Sequence, residues 1–148
     1  MKKLMFAAAL AAFAMIAQAD VTWSWWMDKQ DRKVDLSFGI ASKCANVNTL
    51  ELSLLYNASP VQNGVQFAFL GINDSDKAQV LQLAPWFNRG NDACVQLGMI
   101  NIAKANVFNL GFVNIADESK VQIGFLNFNK NGFLPVFPFV NLDKSLFD

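Results

Sequence analysis

The chain of 148 residues has no histidine, only two cysteines, Cys44 and Cys94, and a single tyrosine, Tyr56. Without histidine the usual serine and cysteine triads lack their base, and the commonest ligand of catalytic zinc is missing. Glutamate is nearly absent too, with Glu51 and Glu118 its only examples, while Phe, Trp, Gly and Asn abound. That balance suits strands and turns better than helices. Long apolar runs are lacking as well. The longest, Leu4 to Ile16, is shorter than the ~20 residues of a membrane-spanning helix, which argues against a helical membrane protein. Nor is there an excess of one charge: beyond residue 19 stand ten basic and twelve acidic side chains, a net of −2. Such a balance gives no electrostatic reason to expect nucleic acid as a partner.

What is present begins with the three parts of an export signal: Lys2 and Lys3, the apolar run to Ile16, and the small-residue site Ala17-Gln18-Ala19. Residues 1–19 are therefore expected to be removed, leaving an exported protein of the periplasm, outer membrane or cell surface. The next residue is Asp20 and not cysteine, so lipid attachment at a new N-terminal cysteine is not expected. The remainder, residues 20–148, has the size of one domain. It divides into an N-terminal cap (20–33), a repeat region (34–142) and a tail (143–148). In the cap, VTWSWWM and VDLSFGI flank the polar DKQDRK, which predicts a hairpin with Trp23, Trp25 and Trp26 packed over the first rung. The same tryptophans could serve as a sugar-stacking platform.

The repeat is easiest to follow by its small residue: Ser37, Ser53, Ala68, Ala84, Gly98, Gly111, Gly124 and Pro138, 13–16 residues apart. Two positions before it stands Asp35, Glu51, Gln66, Gln82, Gln96, Asn109, Gln122 or Val136, polar in all but the last. Its immediate neighbours, such as Leu97 and Met99 or Leu110 and Phe112, are apolar. This alternation predicts strands with one buried face, and the apolar, phenylalanine-rich side is expected to form the core. Two residues after the small position the chain is apolar again, at Ile100, Val113 and Leu126, which reverses the in-out parity. A corner or a bulge belongs there. Asparagines follow at Asn101, Asn114, Asn127 and Asn141, and then polar turns such as NDSDK, NRGND and ADESK.

Two all-β folds fit. In a parallel β-solenoid or β-roll of about eight repeats each unit is one coil. In an eight-stranded antiparallel meander or small barrel each unit is one strand, and the apolar face would meet lipid. The near-interchangeable units VQLGMINIA, FNLGFVNIA and VQIGFLNFN favour stacked, equivalent coils. These units resemble a family of bacterial surface-repeat proteins, first described in spirochaetes, built on VQ-apolar-G-apolar-apolar-N. The resemblance covers roughly residues 34–142 and is most specific in the last third. It implies an exported, envelope-associated protein and brings no catalytic or binding residues with it. A fainter likeness joins the coils to the narrow β-rolls of trimeric adhesin heads.

No catalytic residue, metal site or cofactor is expected. Ser42-Lys43 and Lys144-Ser145 are adjacent only in sequence, and Asp74/Asp76 and Asp117/Glu118 sit in polar turns where carboxylates serve solvation. Asp74-Ser75-Asp76 lacks the glycine and distal glutamate of a calcium loop. Cys44 and Cys94 lie three to four repeats apart, roughly 15–19 Å in a regular sheet, so two separate thiols are expected. The asparagine column is expected to form a hydrogen-bonded ladder. The Gln96 and Gln122 column is expected on a solvated face, the first place to look for a protein partner or envelope component. The overall expectation is a non-enzymatic envelope or surface protein; the alternative is a small outer-membrane barrel protein.

Overall fold

The computed structural model describes residues 19–147, with residues 28–32 described by their backbone alone. The apolar stretch of the expected export signal, within residues 1–18, and Asp148 lie outside the described residues.

From Asp20 the chain winds as a β-solenoid of about seven turns. Its strands are β1 (Val21–Ala58), β2 (Val61–Gln62), β3 (Val65–Ala68), β4 (Ile72–Leu83), β5 (Phe87–Leu97), β6 (Ile100–Leu110), β7 (Val113–Asn129) and β8 (Val136–Leu142). All pairings among β1 to β7 are parallel. The register is that of the sequence repeat: Gln96 lies beside Asn109 and Asn109 beside Gln122, while Asn101 lies beside Asn114. Like units meet like units, which is why near-identical sequences recur. An antiparallel meander or barrel would pair successive strands in opposite senses and is not the fold formed.

Two boundaries differ from expectation. The hairpin expected between VTWSWWM and VDLSFGI, which was to cap the domain over residues 20–33, is the first coil instead. The Asp20 carbonyl accepts from the backbone N–H groups of Asp35 and Leu36, at 2.8 and 3.1 Å. The Ser24 carbonyl lies directly beneath Gly39. These contacts join residues fifteen or sixteen apart, as does the bond from the Asp20 backbone N–H to the Asp35 carboxylate. A hairpin would close that separation toward its turn, whereas a coil keeps it constant. The polar run DKQDRK has no two-residue Asn-Gly or Asp-Gly turn to force a hairpin.

At the other end, the unit around Pro138 does not add a parallel coil. After the turn at residues 130–131, β8 doubles back antiparallel to β7, with Gln122 facing Asn141 and Gly124 facing Phe139. A reversed strand ends the winding and covers the last open edge. Beyond it Asp143 accepts from the Ser145 N–H at 2.8 Å and caps the short 3-10 turn Lys144–Leu146.

Deletion of residues 108–120 provides a test of this stacking. Val121 would take the place of Phe108 over Val95, and Asn127 that of Asn114 over Asn101. The shortened protein is expected to melt cooperatively with an unchanged β-type circular dichroism spectrum. An unfolded product would contradict equivalent, in-register coils.

Candidate functional site

A coil of thirteen residues encloses too small a cross-section for leucine or phenylalanine. In the coil from Val95 to Val107 the inward residues are Gln96, Asn101, Ala103 and Asn106, all buried. The expected polarity is therefore reversed. Gln66, Gln82, Gln96 and Gln122 are 0% exposed, whereas Phe112 and Phe125 are each 54% exposed. The glutamine column is interior and is not the solvated surface that its composition suggests. The apolar side of each strand faces outward.

The amides stabilise the interior because they bond along the solenoid axis. Asn57 Nδ2 donates to Asn73 Oδ1, Asn73 to Asn88, Asn88 to Asn101, Asn101 to Asn114 and Asn114 to Asn127, all at 2.8–2.9 Å. The expected ladder thus exists and extends upstream of Asn101. Asn141 is not part of it: on the reversed strand it donates to the Leu134 carbonyl. From Asn73 to Asn114 each Nδ2 also reaches a backbone carbonyl, for example Asn88 to Leu97 and Asn101 to Leu110, at 2.8 and 2.9 Å. The Leu97 and Leu110 carbonyls already accept the backbone N–H groups of Ala84 and Gly98, and the amides occupy their second lone pair.

The second column donates in the opposite direction. Gln96 Nε2 bonds Gln82 Oε1 at 2.7 Å, Gln82 bonds Gln66 at 2.8 Å, and Gln66 bonds Glu51 Oε2 at 2.8 Å. Gln96 and Gln122 also reach across their coils to the carbonyls of Ile102 and Phe128. This ladder breaks at Asn109, whose side chain is one methylene shorter and turns to Asn106. The Oε1 of Gln96 and the Nδ2 of Asn109 are then buried without a partner, as is the Oε1 of Gln122 at the end of the column. Such a group costs about 1–3 kcal/mol. Asn109→Gln is accordingly expected to raise the melting temperature by several degrees; a lower one would show that Asn106 leaves no room.

At its other end the glutamine ladder terminates in a buried acid. Glu51 accepts from Gln66, from Ser59 Oγ at 2.8 Å and from Ser42. Burial is the larger influence and raises its pKa above the ordinary glutamate value, against the lowering effect of those donors. A raised acid stabilises the fold fully below the unfolded pKa of about 4.3 and loses that contribution as pH rises through the folded value. Glu51→Gln, which extends the amide column by one rung, is expected to melt higher than wild type at pH 8 and similarly at pH 4. Equal melting temperatures at both values would exclude a strained carboxylate. Asp35, lowered by its bond from Asn48, and Asp143, lowered by bonds from Ser145, oppose this trend only in more acidic solution and are common to both proteins.

The outer surface has three sides. On the first, Leu97 and Val95 lie in rows with Leu81 and Leu83 before them and Phe108 and Leu110 after them. The rows continue to Val121 and Ile123 on β7, Val140 and Leu142 on β8, and back to Leu50 and Leu52. Every outward side chain of this face is apolar. Its corner is a ridge through Phe69, Pro85, Met99, Phe112 and Phe125, the last two stacked with ring centroids 5.0 Å apart. The second side carries Ile100, Val113 and Ile115 but also the Arg89–Asp74 ion pair, 2.9 Å. The third is a shallow groove of about 580 Å³ lined by side chains of both charges, among them Lys77, Asp92, Glu118 and Lys120. Trp23, Trp25 and Trp26 do not pack as an end cap; they are well exposed, with Trp23 and Trp25 edge to face.

Of the weighed chemical pairs, Asp74 and Asp76 line one small surface cleft together with Lys43, Tyr56 and Arg89. Ser42 is buried against Ser37, 2.7 Å between their oxygens, while Lys43 is exposed. Ser145 accepts from Lys120 at 2.7 Å. Asp76 accepts from Asn91 at 2.9 Å, and Asp117 pairs with Lys130 at 2.6 Å. No disulfide joins Cys44 to Cys94. Among the described residues no three histidine, cysteine or acidic side chains cluster as a metal site would need.

Fold and surfaces together define a narrow β-solenoid filled with hydrogen-bonded amides and clad on one side in apolar residues. No known protein family, curated protein or solved structure matches the chain.

Proposed function

We propose that this is an exported protein of the bacterial envelope or surface that acts by binding rather than by catalysis. The observation that carries the reading is the reversed polarity. The polar side chains are spent on the interior, so the surface offered to a partner is the uncharged face around Leu97 and its phenylalanine ridge. Contiguous apolar surface of this kind marks protein or membrane interaction sites. With the glutamine column buried, the partner face is the opposite side of each strand. Export is supported by the charged, apolar and small-residue parts of residues 1–19.

Fractionation of producing cells tests this role's location. The expected result is a chain beginning at Asp20 in the periplasm, outer membrane or medium. An uncleaved chain retained in the cytoplasm would overturn the proposal.

A further inference from the structure

We propose that the occupant of the Leu97 face is a second copy of this chain, the two solenoids packing sheet on sheet. The inference deepens the binding role proposed above by naming the partner, and it rests on that reading. Location is tested by fractionation and the partner by mass, so either can fail alone.

The area argues for it. Seven strands at ~4.8 Å spacing, each presenting about five residues up to the corner at ~3.3 Å, make a strip roughly 34 by 17 Å. That is on the order of 600 Å² in plan, and more over the corrugation of the side chains. A stable dimer buries about 800 Å² per partner, whereas the largest apolar patch of a typical monomer reaches only about 300–600 Å². The strip is therefore close to one half of a standard interface.

Its chemistry is compatible with itself. A two-fold dimer places the same patch on both sides, so any charge on the patch would meet its own kind. The Leu97 face has no charged side chain, while the Asp74–Arg89 pair and the lysines and carboxylates of the groove lie on the other two sides. The backbone of this face is already paired within the solenoid, strand to strand, so contact can be made by side chains alone. Two such sheets pack about 10 Å apart, with side chains interdigitating as in a sandwich core.

Sedimentation of the purified chain from Asp20 onward, in buffer without detergent, reads the partner directly. Wild type is expected at the mass of two chains. Leu97→Lys and Leu110→Lys, each a charge at the middle of the face, are expected at the mass of one chain with an unchanged circular dichroism spectrum. Lys104→Glu, away from the face, should stay at two. A wild-type protein of single-chain mass at every concentration tested would overturn the proposal, and this outcome does not depend on whether the variants fold. So would a two-chain mass that both lysine variants leave unchanged. Flotation of single chains with phosphatidylethanolamine–phosphatidylglycerol vesicles would overturn it in favour of lipid.

Discussion

Gly111→Leu is expected to abolish cooperative folding. A Cβ built at Gly111 would fall on the Gly98 carbonyl oxygen of the coil beneath, and within 2.5 Å of Asn101 Nδ2 and 3.1 Å of Asn114 Oδ1. Neither obstacle can yield. The Gly98 carbonyl belongs to a corner whose position is set by the strands on both sides of it, and both amides are members of the asparagine ladder. The glycine is required for space, since its backbone does not adopt a positive φ. Overpacking of a side chain against fixed backbone costs at least ~1–3 kcal/mol, and disruption of a buried network adds to it. The sum is comparable with the whole stability of a domain of this size. Lys120→Ala serves as the contrast. Its ammonium sits on the surface, 2.7 Å from Ser145 Oγ and 3.5 Å from Asp143 Oδ2, a contact worth about 0–1 kcal/mol. Thermal melting should show a normal transition for the lysine variant and none for the leucine variant. Similar transitions in both would contradict the tight stacking of the corner.

Asn114→Ala is expected to leave the protein folded but much weakened. Asn114 accepts from Asn101 and donates to both Asn127 Oδ1 and the Ile123 carbonyl. Alanine leaves Asn127 Oδ1 buried without a donor, while the Ile123 carbonyl keeps its bond from the Gly111 N–H and Asn101 Nδ2 keeps the Leu110 carbonyl. One orphaned buried acceptor and the lost bonds sum to about 3 kcal/mol. For a domain of this length that lowers the melting temperature by roughly 10 °C. The same change at Asn91, exposed and bonded to Asp76 on the surface, should shift it by no more than about 2 °C. If the two variants melted alike, the ladder would not be contributing to stability.

The repeat was legible because parallel stacking places each residue beside its equivalent. Val95, Phe108 and Val121 are neighbours in space and obey the same constraint. The corner after Gly98, Gly111 and Gly124 was legible for a related reason. Two successive apolar residues, Met99 and Ile100, both face outward there, so the parity of the strand changes. What alternation does not reveal is which face is inside. Hydrophobic burial normally decides that, but here the number of residues per coil decides it first. A thirteen-residue coil admits alanine, serine and flat amides and excludes the leucines, so the larger side chains go out. The N-terminal coils are longer, and there apolar side chains do enter: Val34, Cys44 and Val47 form a small buried cluster. Length alone does not separate the two interiors, since the equally long coil between Ala68 and Ala84 encloses Asn73, Ser75 and Ala78. The cap and closing strand depart from the pattern because they lie at the ends, where no second neighbour enforces the repeat. Asn141 looks like a ladder member by its surroundings in sequence, yet its strand runs the other way and aligns it with Gln122.

The direct measurement of the reversed interior is hydrogen exchange of the side-chain amides, followed by NMR. The NH₂ groups of Asn88, Asn101, Asn114, Gln82 and Gln96 are expected to exchange only through global unfolding, far more slowly than those of exposed Asn48 and Asn91. Exchange of the ladder amides as fast as the exposed ones would place them in solvent, and the apolar face would then have to be the core.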